Sequence, residues 1–129
     1  MTALFGQFDS YEQAKKLLTH ENKHIRQAVI YLLNEFNFVD SSADLKLAYL
    51  NERMHNKNYI VEYFIKNPSE ENLEFLTEVL SKERNPHLQF LIIEAISVIG
   101  DVGRDVLNDI LDSSTSSVNL KNQIVYLLR

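Results

Sequence analysis

The chain of 129 residues contains no cysteine and no tryptophan, and only three glycines and two prolines. Without cysteine it has no disulfide, no thiolate metal ligand and no thiol nucleophile, and it suits a reducing compartment such as the cytoplasm. So few glycines and prolines leave little to interrupt long regular elements, and no phosphate-cradling glycine loop. No apolar run approaches the roughly 20 residues of a membrane span, and the opening MTALFGQF lacks the basic and apolar regions of a signal peptide. Direct membrane insertion by this segment is therefore not expected. Positive charge is scarce too, with 13 Lys and Arg against 18 Asp and Glu for a formal net charge of −5. The deficit lies entirely in residues 67–129, which carry 5 basic against 10 acidic residues, whereas residues 1–66 carry 8 of each. With no basic stripe to neutralise phosphates, nucleic acid is not an expected partner.

What the sequence does have is repetition. Ala14, Leu45, Leu76 and Leu107 form a column at steps of 31, and Leu17, Ala48, Val79 and Ile110 form a second. Leu18, Tyr49, Leu80 and Leu111 form a third, and Ile25, Asn56, Leu88 and Leu120 open a later set at steps of 31, 32 and 32. Counting from that last column, apolar residues fall at offsets 0, 3, 4, 7, 8 and 11, as in Leu88, Leu91, Ile92, Ala95, Ile96 and Ile99. That is the stripe of an amphipathic helix rather than the alternation of a strand. Unit one repeats it as Ile25, Ala28, Val29, Leu32, Leu33 and Phe36. Offset 5, about 130° from the stripe centre at about 100° per residue, is apolar in every unit: Ile30, Val61, Ile93 and Val125. A second apolar line on one helix is what stacking against a neighbouring unit requires.

Four units at approximately 7–37, 38–68, 69–100 and 101–129 follow, each a pair of helices. First helices are predicted near 10–20, 42–54, 69–83 and 103–112, and second helices near 23–36, 56–66, 86–99 and 117–129. Asn67 with Pro68 and Glu70, Asn85 with Pro86, and Ser10 with Gln13 supply start signals. Asp112 to Ser117 reads as a loop. Units of this kind cannot bury their apolar faces alone, so the expected fold is an all-α, α-α superhelical solenoid. Residues 1–6 look like the last turn of a preceding second helix, because Phe5 and Gly6 fall in register with Ile99 and Gly100. The expectation is an excised part of a longer protein; the alternative is a small protein whose open solenoid ends self-associate.

In these helix pairs the protein resembles the HEAT-repeat family, in particular its short bacterial, phycobilisome-lyase-like type. AISVIGDVGRDVLNDIL, residues 95–111, carries the closest likeness. The family often places a basic residue just after offset 0, and Arg26, Lys57 and Lys121 occupy that position while Gln89 departs from it. The acidic turn residues that usually partner it are largely replaced by Asn22, Asn85 and Ser117, so a continuous acid–base ladder is not expected. The resemblance implies a paired-helix solenoid with a non-catalytic binding or scaffolding role toward a protein partner. DNA-glycosylase-like and bilin-lyase-like activities are the enzymatic alternatives of this architecture, the first disfavoured by the acidic balance.

Several groups of residues are candidates for function. His24, His55 and His87 each stand one residue before offset 0, with Glu21, Glu52 and Glu83 in the turns before them, and two of the pairs spell Glu-x-x-His. Di-iron bundles use that element, but they bury it between helices, whereas the period puts these pairs on a turn ridge. Helix-end residues are the preferred reading and a metal-binding or pH-sensing ridge the alternative. Offsets 2, 6 and 9 of the second helices supply Gln27, Tyr31, Asn34, Asn58, Glu62, Phe90, Glu94, Asn122 and Tyr126, a mixture that suits a binding groove or aromatics lying along a neighbouring helix. On the first helices, Glu74, Glu78, Asp105, Asp109 and Asp112 form acidic faces, read as solvated surface or as attachment for a basic partner. Leu47, Leu50 and Met54 point outward where no repeat needs them, either beneath Phe38 and Val39 or as a contact patch. Neither a nucleophile elbow nor a pair of carboxylates buried together is present in the pattern, and no cofactor or catalytic residue is assigned.

Overall fold

The computed structural model describes residues 12–35 and 40–128, the side chain of Met54 excepted. Among these residues every regular element is a helix and no strand occurs. Helix α1 covers residues 12–16 and tightens into a 3-10 turn at Leu17–Thr19; α2 is Lys23–Glu35, α3 Ser42–Asn51 and α4 Met54–Lys66. After a 3-10 turn at Glu70–Asn72 come α5 Leu73–Lys82, α6 Pro86–Ser97, α7 Asp101–Asp112 and α8 Val118–Leu128. The protein separates into two compact units, Met1–Tyr63 and Phe64–Arg129. None of its described helices is long and apolar enough to cross a membrane. The capping box at Ser10, the turn at residues 1–6, and Phe36, Phe38 and Val39 lie outside the described residues.

In the first unit the repeat columns supply the core: Leu18, Leu45, Ala48 and Tyr49 are buried, as are Val29, Ile30 and Leu33 of α2. The burial of α2 is centred further round the helix than its stripe predicts. Ala28 is exposed and Leu32 is 44% exposed, while Ile30 is fully buried. Asn34, one turn after Ile30, shares that side and is buried with it. The boundary between the second pair of helices falls earlier than predicted: α3 ends at Asn51 rather than near residue 54, because the backbone turns extended at Glu52 (φ −102°, ψ 160°), and α4 begins at Met54 rather than near residue 56. The loop entering α3 is held by a buried network in which Ser41 N–H donates to the Tyr63 hydroxyl at 2.9 Å and Ser42 N–H donates to Asp40 Oδ1 at 2.9 Å.

The second unit is organised around α6, which packs against α5, α7 and α8. Because neighbours lie on several sides, both of its apolar lines are covered, and Leu88, Ile92, Ile93, Ala95 and Ile96 are all fully buried. Leu91, expected in the core, is only half-buried. Asn85 caps α6 as its sequence predicts, accepting from the N–H groups of His87 and Leu88 with Pro86 in the first turn. The cap before α5 differs from expectation: Ser69, not Asn67, accepts from Glu71 N–H, and a 3-10 turn precedes the α-helix. At α7 the helix starts two residues earlier than predicted, at Asp101, after Gly100 with φ +111°, a value that favours glycine. Gly103 lies so close to α6 that an added Cβ would sit 2.0 Å from the carbonyl oxygen of Ile96.

Candidate functional site

Two adjoining lobes of a cleft open in the first unit, of about 470 and about 560 Å³, and both are bordered by Glu21, Arg26, Asn51 and Glu52. Between them lies the best-buried ion pair among the described residues. Arg26 Nε donates to Glu52 Oε1 at 2.6 Å, with the Glu52 side chain 3% exposed and that of Arg26 21%. The second Glu52 oxygen accepts from Asn56 Nδ2 at 2.9 Å, and Arg26 Nη1 donates to the carbonyls of His20 and Glu21 at 2.7 and 2.9 Å. Asn56 occupies an otherwise apolar column, and this bond explains how an amide is tolerated there. The extended backbone at Glu52 turns its carboxylate inward, so the break between α3 and α4 and the ion pair are one feature.

In three of the four units the residue just after offset 0 reaches back over the preceding turn or helix. Arg26 does so by ion pair and carbonyl contacts. Lys57 places its ammonium 4.8 Å from the Tyr49 ring centroid, a cation–π contact. Gln89, the departure from the basic pattern, donates through Nε2 to the carbonyl of Glu83 at 2.7 Å. Asn22, Asn85 and Ser117 accept from N–H groups of the helices they precede instead of pairing with cations.

The structure brings Glu21, His24, Glu52 and His55 to the rim of one lobe. Glu52 is fully engaged by Arg26 and Asn56, His24 and His55 are exposed, and the His55 ring packs edge-on against Tyr59 at 6.0 Å. Among the described residues, no group of three or more His, Asp or Glu side chains is arranged to hold a metal ion. Glu83 and His87 belong to the second unit, at the α5–α6 turn, where backbone groups of both serve the helix start.

The predicted second-helix face is uneven. Gln27 borders the cleft, Tyr31 is exposed, and Asn58 and Glu62 are half-buried. Asn34 does not belong to this face: it is 6% exposed, and its Oδ1 is buried without a hydrogen-bond partner among the described residues. Its place one turn after the buried Ile30 accounts for this. In the second unit Phe90 and Tyr126 lie against each other with centroids 6.1 Å apart, Phe90 half-buried and Tyr126 exposed, while Glu94 is half-buried and Asn122 exposed. Gln123, beside Asn122, donates to the carbonyl of Pro86 at 2.8 Å and ties α8 to the start of α6.

Leu47 and Leu50 are 67% and 68% exposed on α3, and Leu47 borders the smaller lobe with Leu18 and Ala48. Met54 opens α4, its side chain outside those described. Sequence reasoning placed the two leucines outward but did not find the cleft beside them, whose borders come from both helix pairs of the unit. No protein-family model matches the protein, and no curated protein or solved structure matches it either.

Proposed function

We propose that this protein is a HEAT-type helical-repeat module that binds a protein partner and performs no chemistry of its own. The observation that carries the reading is the exposure of Leu47 and Leu50 at 67% and 68%, side by side on α3 and next to a cleft. Large apolar side chains grouped at the edge of a concavity are typical of surfaces that another molecule covers. The 31-residue columns support a solenoid of stacked pairs, and in the first unit Gln27 and the exposed Tyr31 on α2 add to the surface available to a partner. The acidic faces of α5 and α7 act as solvated surface.

The test is capture of partners from the native host, followed by calorimetric titration of each purified candidate. Leu47→Lys with Leu50→Lys is expected to weaken binding at least about ten-fold, about 1.4 kcal/mol, while melting and helicity stay unchanged. Glu74→Lys with Glu78→Lys, on the exposed side of α5, is expected to leave binding intact. If no purified candidate binds, or if the leucine variant binds like the parent, the proposal fails.

A further inference from the structure

The larger lobe carries a small positive surplus. Lys23, Arg26 and Arg53 line it against Glu21 and Glu52, within a half of the sequence, residues 1–66, whose 8 basic and 8 acidic residues balance. Arg26 and Glu52 neutralise each other. The side chains of Lys23 and Arg53 are exposed and make no hydrogen bond or ion pair among the described residues, which leaves two uncommitted cations facing one uncommitted carboxylate, that of Glu21. The two cations also stand at helix starts: Lys23 opens α2 and Arg53 immediately precedes α4. Both helices are 13 residues long, and their dipoles add to the attraction for negative charge at those ends. Immediately beside this lobe, the smaller one offers Leu18, Leu47 and Ala48.

The geometry points to the larger lobe as a receptor for the carboxylate of an acidic side chain of a protein partner, with an adjacent apolar side chain of the same segment seated against Leu47. This rests on the protein-binding reading above and names the chemistry of its partner. A carboxylate fits better than a phosphoryl group, because a single negative charge matches the single surplus cation, whereas a dianion would leave one charge unmatched beside Glu21. Lys23 and Arg53 supply the contact and Arg26 shapes the floor. Since both contacting cations are exposed, the attraction is screened by salt.

The test selects short random peptides against the full protein and titrates the enriched ones by fluorescence polarisation. Enriched peptides are expected to carry Asp or Glu beside Leu, Ile, Met or Phe, and changing the acid to its amide is expected to weaken binding about ten-fold at low salt and less at high salt. Lys23→Glu with Arg53→Glu is expected to abolish the acidic preference with melting unchanged. Leu47→Lys is expected to weaken binding while the preference persists. Amidating the terminal carboxyl group of the peptide is expected to leave binding intact; loss of binding on amidation assigns the lobe to a carboxyl terminus and overturns the side-chain reading. Peptides that depend on Leu47 yet ignore both the acid-to-amide change and the charge reversal overturn this inference and leave the protein-binding reading intact. Displacement of the peptide by inorganic phosphate, against chloride at matched ionic strength, overturns it in favour of a phosphoryl ligand. A selection that enriches nothing overturns it as well.

Discussion

Replacing Glu52 by Gln tests whether the floor of the cleft is a committed ion pair. The substitution keeps size and shape and removes the charge that Arg26 Nε meets at 2.6 Å. Breaking a fully buried pair by removing one partner costs about 3–5 kcal/mol. Here the expected loss is smaller, about 2 kcal/mol, because Arg26 remains 21% exposed and keeps the carbonyls of His20 and Glu21. For a protein of this size that corresponds to a fall of about 8 °C in melting temperature at about 4 °C per kcal/mol. Urea unfolding followed by circular dichroism is expected to show a lowered midpoint with an unchanged slope. The exposed pair of Lys82 with Glu78, at 3.1 Å, is the internal control: Glu78→Gln is expected to cost less than about 0.5 kcal/mol. Removing both charges with Arg26→Met and Glu52→Met, together with Asn56→Leu so that no buried amide loses its acceptor, is expected to cost no more than Glu52→Gln alone, since no buried charge or amide is left without a partner. If Glu52→Gln is as mild as Glu78→Gln, the pair is a surface contact and the cleft has no fixed floor.

Two further perturbations address other parts of the fold. Gly103→Ala would place a Cβ 2.0 Å from the Ile96 carbonyl oxygen, and the resulting shift of α7 is expected to destabilise by about 1–3 kcal/mol despite the better helix propensity of Ala; a stabilised variant in urea unfolding would show that the helices do not approach so closely. The pKa of Asp40 is lowered from 3.8, chiefly by hydrogen bonds from Ser42 and, less, from Tyr63 and by the charge of Lys46, against opposing desolvation. A depressed folded-state pKa stabilises the fold above the unfolded value, and the benefit disappears as pH falls through the depressed one. The stability difference between the parent and Asp40→Asn is therefore expected to be constant near neutral pH and to shrink below about pH 4; a difference that persists unchanged in acid would refute it.

The all-helical class and most helix positions were legible because burial on a helix leaves a spacing that the sequence records. Ile92 and Ile96 are buried as their stripe implies, and Asn85 with Pro86 marks a helix start that side-chain chemistry alone determines. Phase was less legible. A stripe tells which residues are apolar, whereas burial depends on which sides have neighbours, and so Leu32 is exposed while Asn34 is buried. The turn at Glu52 was legible from the period, but the inward aim of its carboxylate was not, because its partner Arg26 stands 26 positions away. The cleft escaped the pattern for the same reason. Leu47 and Leu50 were legible as outward-facing because they violate the repeat, and a violation of a strict period is visible without coordinates.

The close approach at Gly103 has a mechanical meaning. Where helices meet through side chains, rotamer changes let one slide over the other and absorb a displacement. Between α6 and α7 the contact at this point is backbone against backbone, with the Ile96 carbonyl resting where any other residue would carry a Cβ, and there is no pliable layer to take up strain. These two helices therefore behave as one lever. A pull on the acidic side of α7, at Asp105 or Asp109, is passed undamped to α6 and to the Phe90 side chain it carries, so that a load on one surface of the second unit is felt on another.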